Sequence, residues 1–306
     1  MEAPQQSAHL RATRPDGIRG CTAAGFRALR ARWPMLLAAV ALLGALHLPQ
    51  RWFQSRSEAL LGAFQARAEE RGGQAPAPED AVADLGILAS ACGWNCGSLA
   101  YGLVLLVPAF AGAALVGARA VAGDASLADL RAGFGTRFGP VLLAGLVTGF
   151  VGGGAAVLVS IIAVAGGLVR ASGAVASLLG EEAARMLLLA AVLVTAWLTA
   201  RLWFALPRAA DPRRPRTSGV ACVVESWTAT EGPGQWRVLG TMLVAAAIAV
   251  AFVWPGAELV ARAGEGASVP AWAGWAAMVA GAGASAMLAL ALLGAAYESL
   301  MPGRTP

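Results

Sequence analysis

Few side chains in this sequence could make or break bonds, and their spacing narrows the field further. There are two histidines, His9 and His47, and neither has a cluster of acids beside it with which to hold a catalytic metal. All 23 basic residues are arginine. Without lysine there is no phosphate-binding loop of the Gly-Lys-Ser/Thr kind, and a serine nucleophile would lack a lysine base. Proton and ion relays in membranes use acids at depth. None of the 18 acids falls at the centre of an apolar segment; Glu181, Glu182 and Glu258 sit at segment ends. The residues therefore predict no catalytic, cofactor-binding or metal site, and a protein that is not an enzyme.

Three other groups of residues stand out. Arg208, Arg213, Arg214 and Arg216 follow directly on an apolar run ending at Pro207. At a membrane edge they are candidate lipid head-group contacts, each contributing about 1 kcal/mol at an anionic surface. Topological anchoring accounts for the same charges. Gly145, Gly149 and Gly153 form GxxxGxxxG, a spacing that lets helix backbones approach closely. Cys92 and Cys96 flank GWN. They are a candidate disulfide in an oxidising compartment, or two free thiols, since one helical turn is not the usual geometry of a bridge. Cys222 reads as a small hydrophobe.

The elements that carry these residues are apolar. Of 306 residues, 58% are hydrophobic and 13% charged, and mean hydropathy is +0.63. Soluble domains carry about 25% charged residues. The deficit, with several uncharged runs near 20 residues, predicts an all-α, polytopic membrane helical bundle of about six transmembrane helices. The net charge of +5 is dispersed between apolar segments, so no nucleic-acid surface is expected. Residues 1–32 form a basic tail with a short helix near 22–32. Residues 33–96 hold a first transmembrane helix (33–49), an amphipathic helix (51–70) and a loop (72–80). For 33–49 a retained anchor and a signal peptide both stand; the long tail and the lack of an A-x-A site favour the anchor. Residues 97–300 form the bundle, with spans at 97–119, 139–169, 184–207, 237–256 and 271–297. The third is too long to cross straight, and Gly152–Gly154 is its weak point.

Arginine placement orients the chain. One set of connecting segments holds six in the tail, three at 119–137, six at 201–237 and Arg304. The other holds Arg51, Arg56, Arg67, Arg71, Arg170, Arg185 and Arg262. The positive-inside rule then puts both termini in the cytoplasm, of a bacterial inner membrane.

Two stretches share a grammar. SLADLRAGFGTRFGPVLLAGLV (126–147) follows span two, and SGVACVVESWTATEGPGQWRVLGTMLV (218–244) follows span four. Ser126 with Asp129 makes a capping box, and Ser218 is a candidate N-cap. Leu127, Leu130, Phe134 and Phe138 form one stripe; Val220, Val223, Val224 and Trp227 form the other. Both predict a short cytoplasmic interfacial helix between two spans, hence a parallel internal repeat.

Arg201, Leu202, Ala205, Leu206 and Pro207, then Ser226, Trp227, Thr228, Thr230 and Gly232, then Trp236 and Arg237, resemble a motif set. It is that of bacterial six-span proteins related to the glycerophosphoryl diester phosphodiesterase membrane domain family, in their membrane part only. The stretch 126–147 resembles the earlier repeat of those proteins, and AAYESL (295–300) their usual end. The resemblance covers residues 97–300 and implies an architecture more than an activity. The sequence departs from the pattern in RAADPRRPRTSG after Pro207 and in the long stretch between spans one and two. The expected role is an accessory scaffold, or a lipid- or envelope-related partner of another protein, with membrane lipids as partners and no cofactor. The alternative is a transporter with a polar path between the repeats, lined by groups such as Thr148, Ser160, Thr195 and Thr199. Composition leaves open whether the chain pairs with itself.

Overall fold

The computed structural model describes residues 17–72, 77–151, 181–263 and 269–301. Among them every regular element is helical, so the protein is an all-α bundle. Among the described residues, four helices are long and apolar enough to cross a membrane, or five if one bent pair is counted as a single span.

Helix α1, Gly17–Glu70, runs 54 residues, about 81 Å at 1.5 Å per residue. Its break is at Arg32 (φ −129°, ψ 22°). Pro34 has no N–H for the carbonyl four residues back, and its ring presses on that turn. Three expectations are corrected here. The helix begins at Gly17, well before 22. The anchor at 33–49 and the amphipathic helix at 51–70 are parts of one rod, which continues through Pro49. One missing N–H removes one hydrogen bond, and packing against α2 on both sides of Pro49 holds the rod together. The chain turns at Gly72 (φ +58°) and is helical again from Pro78; residues 73–76 of the expected loop lie outside the described residues.

Helix α2, Pro78–Ala122, returns antiparallel to α1. The expected span 97–119 is only its second half. A wider π turn spans Gly102–Leu106. It lies directly before Pro108, whose ring and missing N–H disfavour a tight turn there. Gly123, left-handed at φ +86°, ends the helix. Helix α3, Leu127–Phe134, is bent by 75° from α4, Phe138–Val151. The rest of the expected third span lies outside the described residues.

Helix α5, Glu181–Leu202, breaks at Trp203–Phe204 before the short α6, Ala205–Ala210. The expected stop at Pro207 thus falls one turn early. A proline disturbs the carbonyl four residues before it, here that of Trp203. Helix α7, Gly219–Ala229, leads into α8, Pro233–Ala263, and α9, Val269–Leu300, which form a long hairpin.

Small residues set the crossings. A Cβ on Gly117 would stand 2.3 Å from the Leu290 carbonyl oxygen, so α2 and α9 touch backbone to backbone. The buried core gathers where α1 starts and α2, α6 and α9 end, around Cys21, Phe204, Val238 and Tyr297. Exposed tryptophans mark a constant height on the rods. Trp33 and Trp52 on α1, and Trp236 and Trp254 on α8, lie 19 and 18 residues apart, about 28 and 27 Å. A bilayer's hydrocarbon is about 30 Å thick, with tryptophan enriched at both faces. Beyond Trp52 the α1–α2 hairpin continues for about 27 Å. Its root is an aromatic cluster in which Trp94 lies 5.2 Å from Trp52 and 5.8 Å from Phe53. Its far end is an Arg71–Asp84 ion pair at 2.5 Å.

Candidate functional site

Two features are organised enough to act: an arginine–carboxylate cluster at the core end of the bundle, and an apolar cleft toward the other end.

Helix α6 and the loop after it deliver Arg208, Asp211, Arg213 and Arg214 into the cluster. Arg208 is only 3% exposed. Its Nε and Nη2 donate to the two carboxylate oxygens of Glu225 on α7, at 2.5 and 3.2 Å. Asp211 is fully buried. It accepts from the backbone N–H and the Nε of Arg213, each at 3.0 Å, and from the Tyr297 hydroxyl at 3.2 Å. Arg213 reaches on to Glu298 at 2.6 Å. Arg214 lies 5.7 Å over the Tyr297 ring and donates to the Met301 carbonyl. Burial by itself would raise the Asp211 carboxyl. The hydrogen bonds and charge of Arg213, with Arg214 behind, outweigh it and hold the group below the usual carboxylate range. The cluster ties the α6–α7 loop to the end of α9. Of the four arginines singled out as head-group contacts, three are therefore engaged by groups of the protein. Arg216 is exposed and has no hydrogen-bond or ion-pair partner among the described residues.

The same device occurs twice. Arg119, in the last turn of α2, pairs with Asp124 at 2.8 Å and with Asp129 of α3 at 3.6 Å. Arg208, near the end of α6, pairs with Glu225 of α7. Each short helix starts at the expected cap. The side chain of Asp129 accepts from the Ser126 N–H at 2.8 Å, and the Ser218 hydroxyl accepts from the Ala221 N–H at 3.1 Å. On α7 the apolar stripe divides: Val220 and Val224 are exposed, while Val223 packs against the buried cluster around Cys222 and Trp227 lies edge-on to Trp197.

Sequence reasoning missed a second arginine contact. The Arg201 guanidinium lies 5.3 Å from the Trp197 ring and 4.9 Å from the Trp227 ring. Its Nη1 donates to the Trp227 carbonyl, and Ser226 donates back to the Arg201 carbonyl. The spacing of Trp197 and Arg201, one turn apart, was the available signal; the approach of Trp227 from α7 had none.

The cleft encloses about 660 Å³. Helices α1 and α9 touch at Gly25 and Leu292 and share a buried cluster as far as Ala39. Beyond it they diverge, and nothing lies within 4 Å of a Cβ built on Gly44. Val40, Leu43 and His47 form one wall, Val279 and Ala286 the other, and Phe110 of α2 the floor. Trp203 closes the inner end, edge-on to Phe110 at 5.5 Å. From Val279 to Leu290 the cleft is about 16 Å tall, close to one leaflet of a roughly 30 Å hydrocarbon. His47 is its polar rim; its Nδ1 lies 3.2 Å from the Gln50 amide oxygen.

The remaining expectations divide. Gly145 is a contact: a Cβ there would stand 2.3 Å from Val107 Cγ1. Gly149 has nothing within 4 Å of a built Cβ among the described residues, and Gly153 lies outside them. Cys92 and Cys96 are exposed free thiols, one turn apart on α2. Cys222 is buried, as a small hydrophobe would be. Of the groups named for a polar path, Thr199 donates to the Thr195 carbonyl of its own helix, and Ser160 lies outside the described residues. Among the described residues no three His, Cys, Asp or Glu side chains converge on a metal position. No protein-family model, curated protein or solved structure matches the chain.

Proposed function

We propose that the protein is an accessory, lipid-holding component of a bacterial inner membrane, with both termini cytoplasmic and the α1–α2 hairpin on the outer side. The observation that carries the reading is the cleft. It is apolar along its walls, open sideways between α1 and α9, and as tall as one leaflet. An acyl chain fits such a lining, and a hydrated solute does not. Gln50 stands close to the level of Trp52, and His47 lies about 8 Å inside it, on the hydrocarbon side. The arginine distribution supports the orientation.

The test is photo-crosslinking of the full chain in liposomes with a lipid that carries a diazirine on its acyl chain. Label is expected at 40–47 and 279–290, and it drops at least fivefold there in Ala286→Trp, which fills the cleft. Label spread equally over the lipid-facing side of α8 around Leu243 and Val250, unchanged by Ala286→Trp, defeats the reading.

A further inference from the structure

The first half of α2 carries two seams at heptad spacing. One runs through Asp84, Ala91, Trp94 and Ser98 and is covered by α1: Ser57 donates to the Ala91 carbonyl at 3.3 Å, and Phe53 packs on Trp94. The other runs through Val82, Leu85, Ala89, Cys92, Cys96 and Leu99, with steps of three and four residues throughout. That is the a/d pattern of a coiled coil. It lies on the far side of the helix, and all six residues are exposed, Val82 by 73%, Leu85 by 67% and Leu99 by 68%. No charged residue occurs from Leu85 to Tyr101. Gly86 and Gly93, one heptad apart beside the seam, have nothing within 4 Å of a built Cβ.

We infer that this seam is a homodimer interface, occupied by the same seam of a second copy. A membrane holds every copy at one depth and in one orientation, so two copies can meet about a two-fold axis along its normal. Each residue then faces its own counterpart, as a self-complementary interface requires. A stripe with charges would repel its own image; this one has none. The two glycines leave room for close approach. The seam covers 18 residues, short of the three to four heptads of a free-standing coiled coil. Confinement of both copies to one membrane supplies the missing effective concentration.

The cysteines provide the readout. At facing positions of a parallel pair, Cα atoms come within the roughly 4.4–6.8 Å that a disulfide spans. In native membranes, the full chain with Cys21→Ala and Cys222→Ala is treated with copper–phenanthroline. The oxidant takes two electrons from two thiols, releasing two protons as the bond forms. With only Cys92 or only Cys96 left, a band at twice the chain mass is expected. With both replaced and Ser90→Cys introduced on another face, the yield falls at least tenfold. Leu85→Arg, at an exposed position, cuts the Cys96 yield at least tenfold while single-molecule photobleaching in liposomes shifts from two steps to one. Equal cross-linking from position 90, no cross-link from 92 and 96, or a product of another mass would each overturn the proposal.

Discussion

Replacing Asp211 by alanine should loosen the whole core end of the bundle. The carboxylate is fully buried and accepts from Arg213 and Tyr297, with Arg214 Nε 3.6 Å away. Removing one partner of a buried ion pair costs about 3–5 kcal/mol. Arg213 keeps Glu298 and its side chain is 28% exposed, so water and the second acid offset part of that. About 2–3 kcal/mol remains. At about 2–4 °C per kcal/mol for a chain of this size, Tm should fall by roughly 5–10 °C. A thiol-reactive dye in detergent reads the transition, because Cys21 and Cys222 are buried until the core opens. Cys92 and Cys96 should be replaced first, since they are exposed. The comparison is Arg216→Ala, expected within about 0.5 kcal/mol of the parent. The difference between Asp211→Ala and parent should also depend on pH. A depressed carboxyl stabilises fully above its unfolded value, about 3.9, and the contribution is lost as pH falls through the folded value. The gap should therefore hold from pH 7 to about 4 and close only below. A Tm within about 1 °C of the parent at pH 7, roughly the assay error, or an equal loss in Arg216→Ala, would refute the reasoning.

Gly117→Ala forces a carbon against the Leu290 carbonyl and should cost about 1–3 kcal/mol by thermal unfolding, whereas Gly149→Ala should not lower Tm. Ser218→Ala removes the N-cap of α7 and should lower stability by about 1 kcal/mol, with Ser218→Asp restoring most of it. Alkaline phosphatase fused after residues 75 and 265 should be active and after 215 inactive; activity at 215 would reverse the orientation.

Local chemistry was legible. Ser126, Asp129 and Ser218 name their helix starts because capping is decided within four residues. The basic edge after Pro207 is likewise a local fact. Pairings between distant segments were not legible. Arg213 and Glu298 are 85 residues apart, and nothing in periodicity says that three of four edge arginines will find carboxylates or carbonyls of their own chain. The division of 33–70 into an anchor and a separate amphipathic helix failed because a proline such as Pro49 costs one hydrogen bond, while the packing that offsets it comes from α2. The cleft was out of reach for a related reason. It exists because Gly25, Gly117 and Gly294 let helices cross closely at one end, and divergence elsewhere is a property of the whole bundle.

The length of α1 has a mechanical consequence. At its kink, Arg32 donates to the carbonyl of Gly123, so the rod is pinned there to the end of α2. From that pivot to Glu70 is about 57 Å of uninterrupted helix. A tilt of about 5° then carries the far tip by about 5 Å and the wall at His47 by about 2 Å. Displacement of the hairpin tip is delivered to the cleft wall reduced by a lever ratio of about two and a half, with force raised in the same ratio, and the load arrives at the pivot as torque beside Asp124 and Asp129.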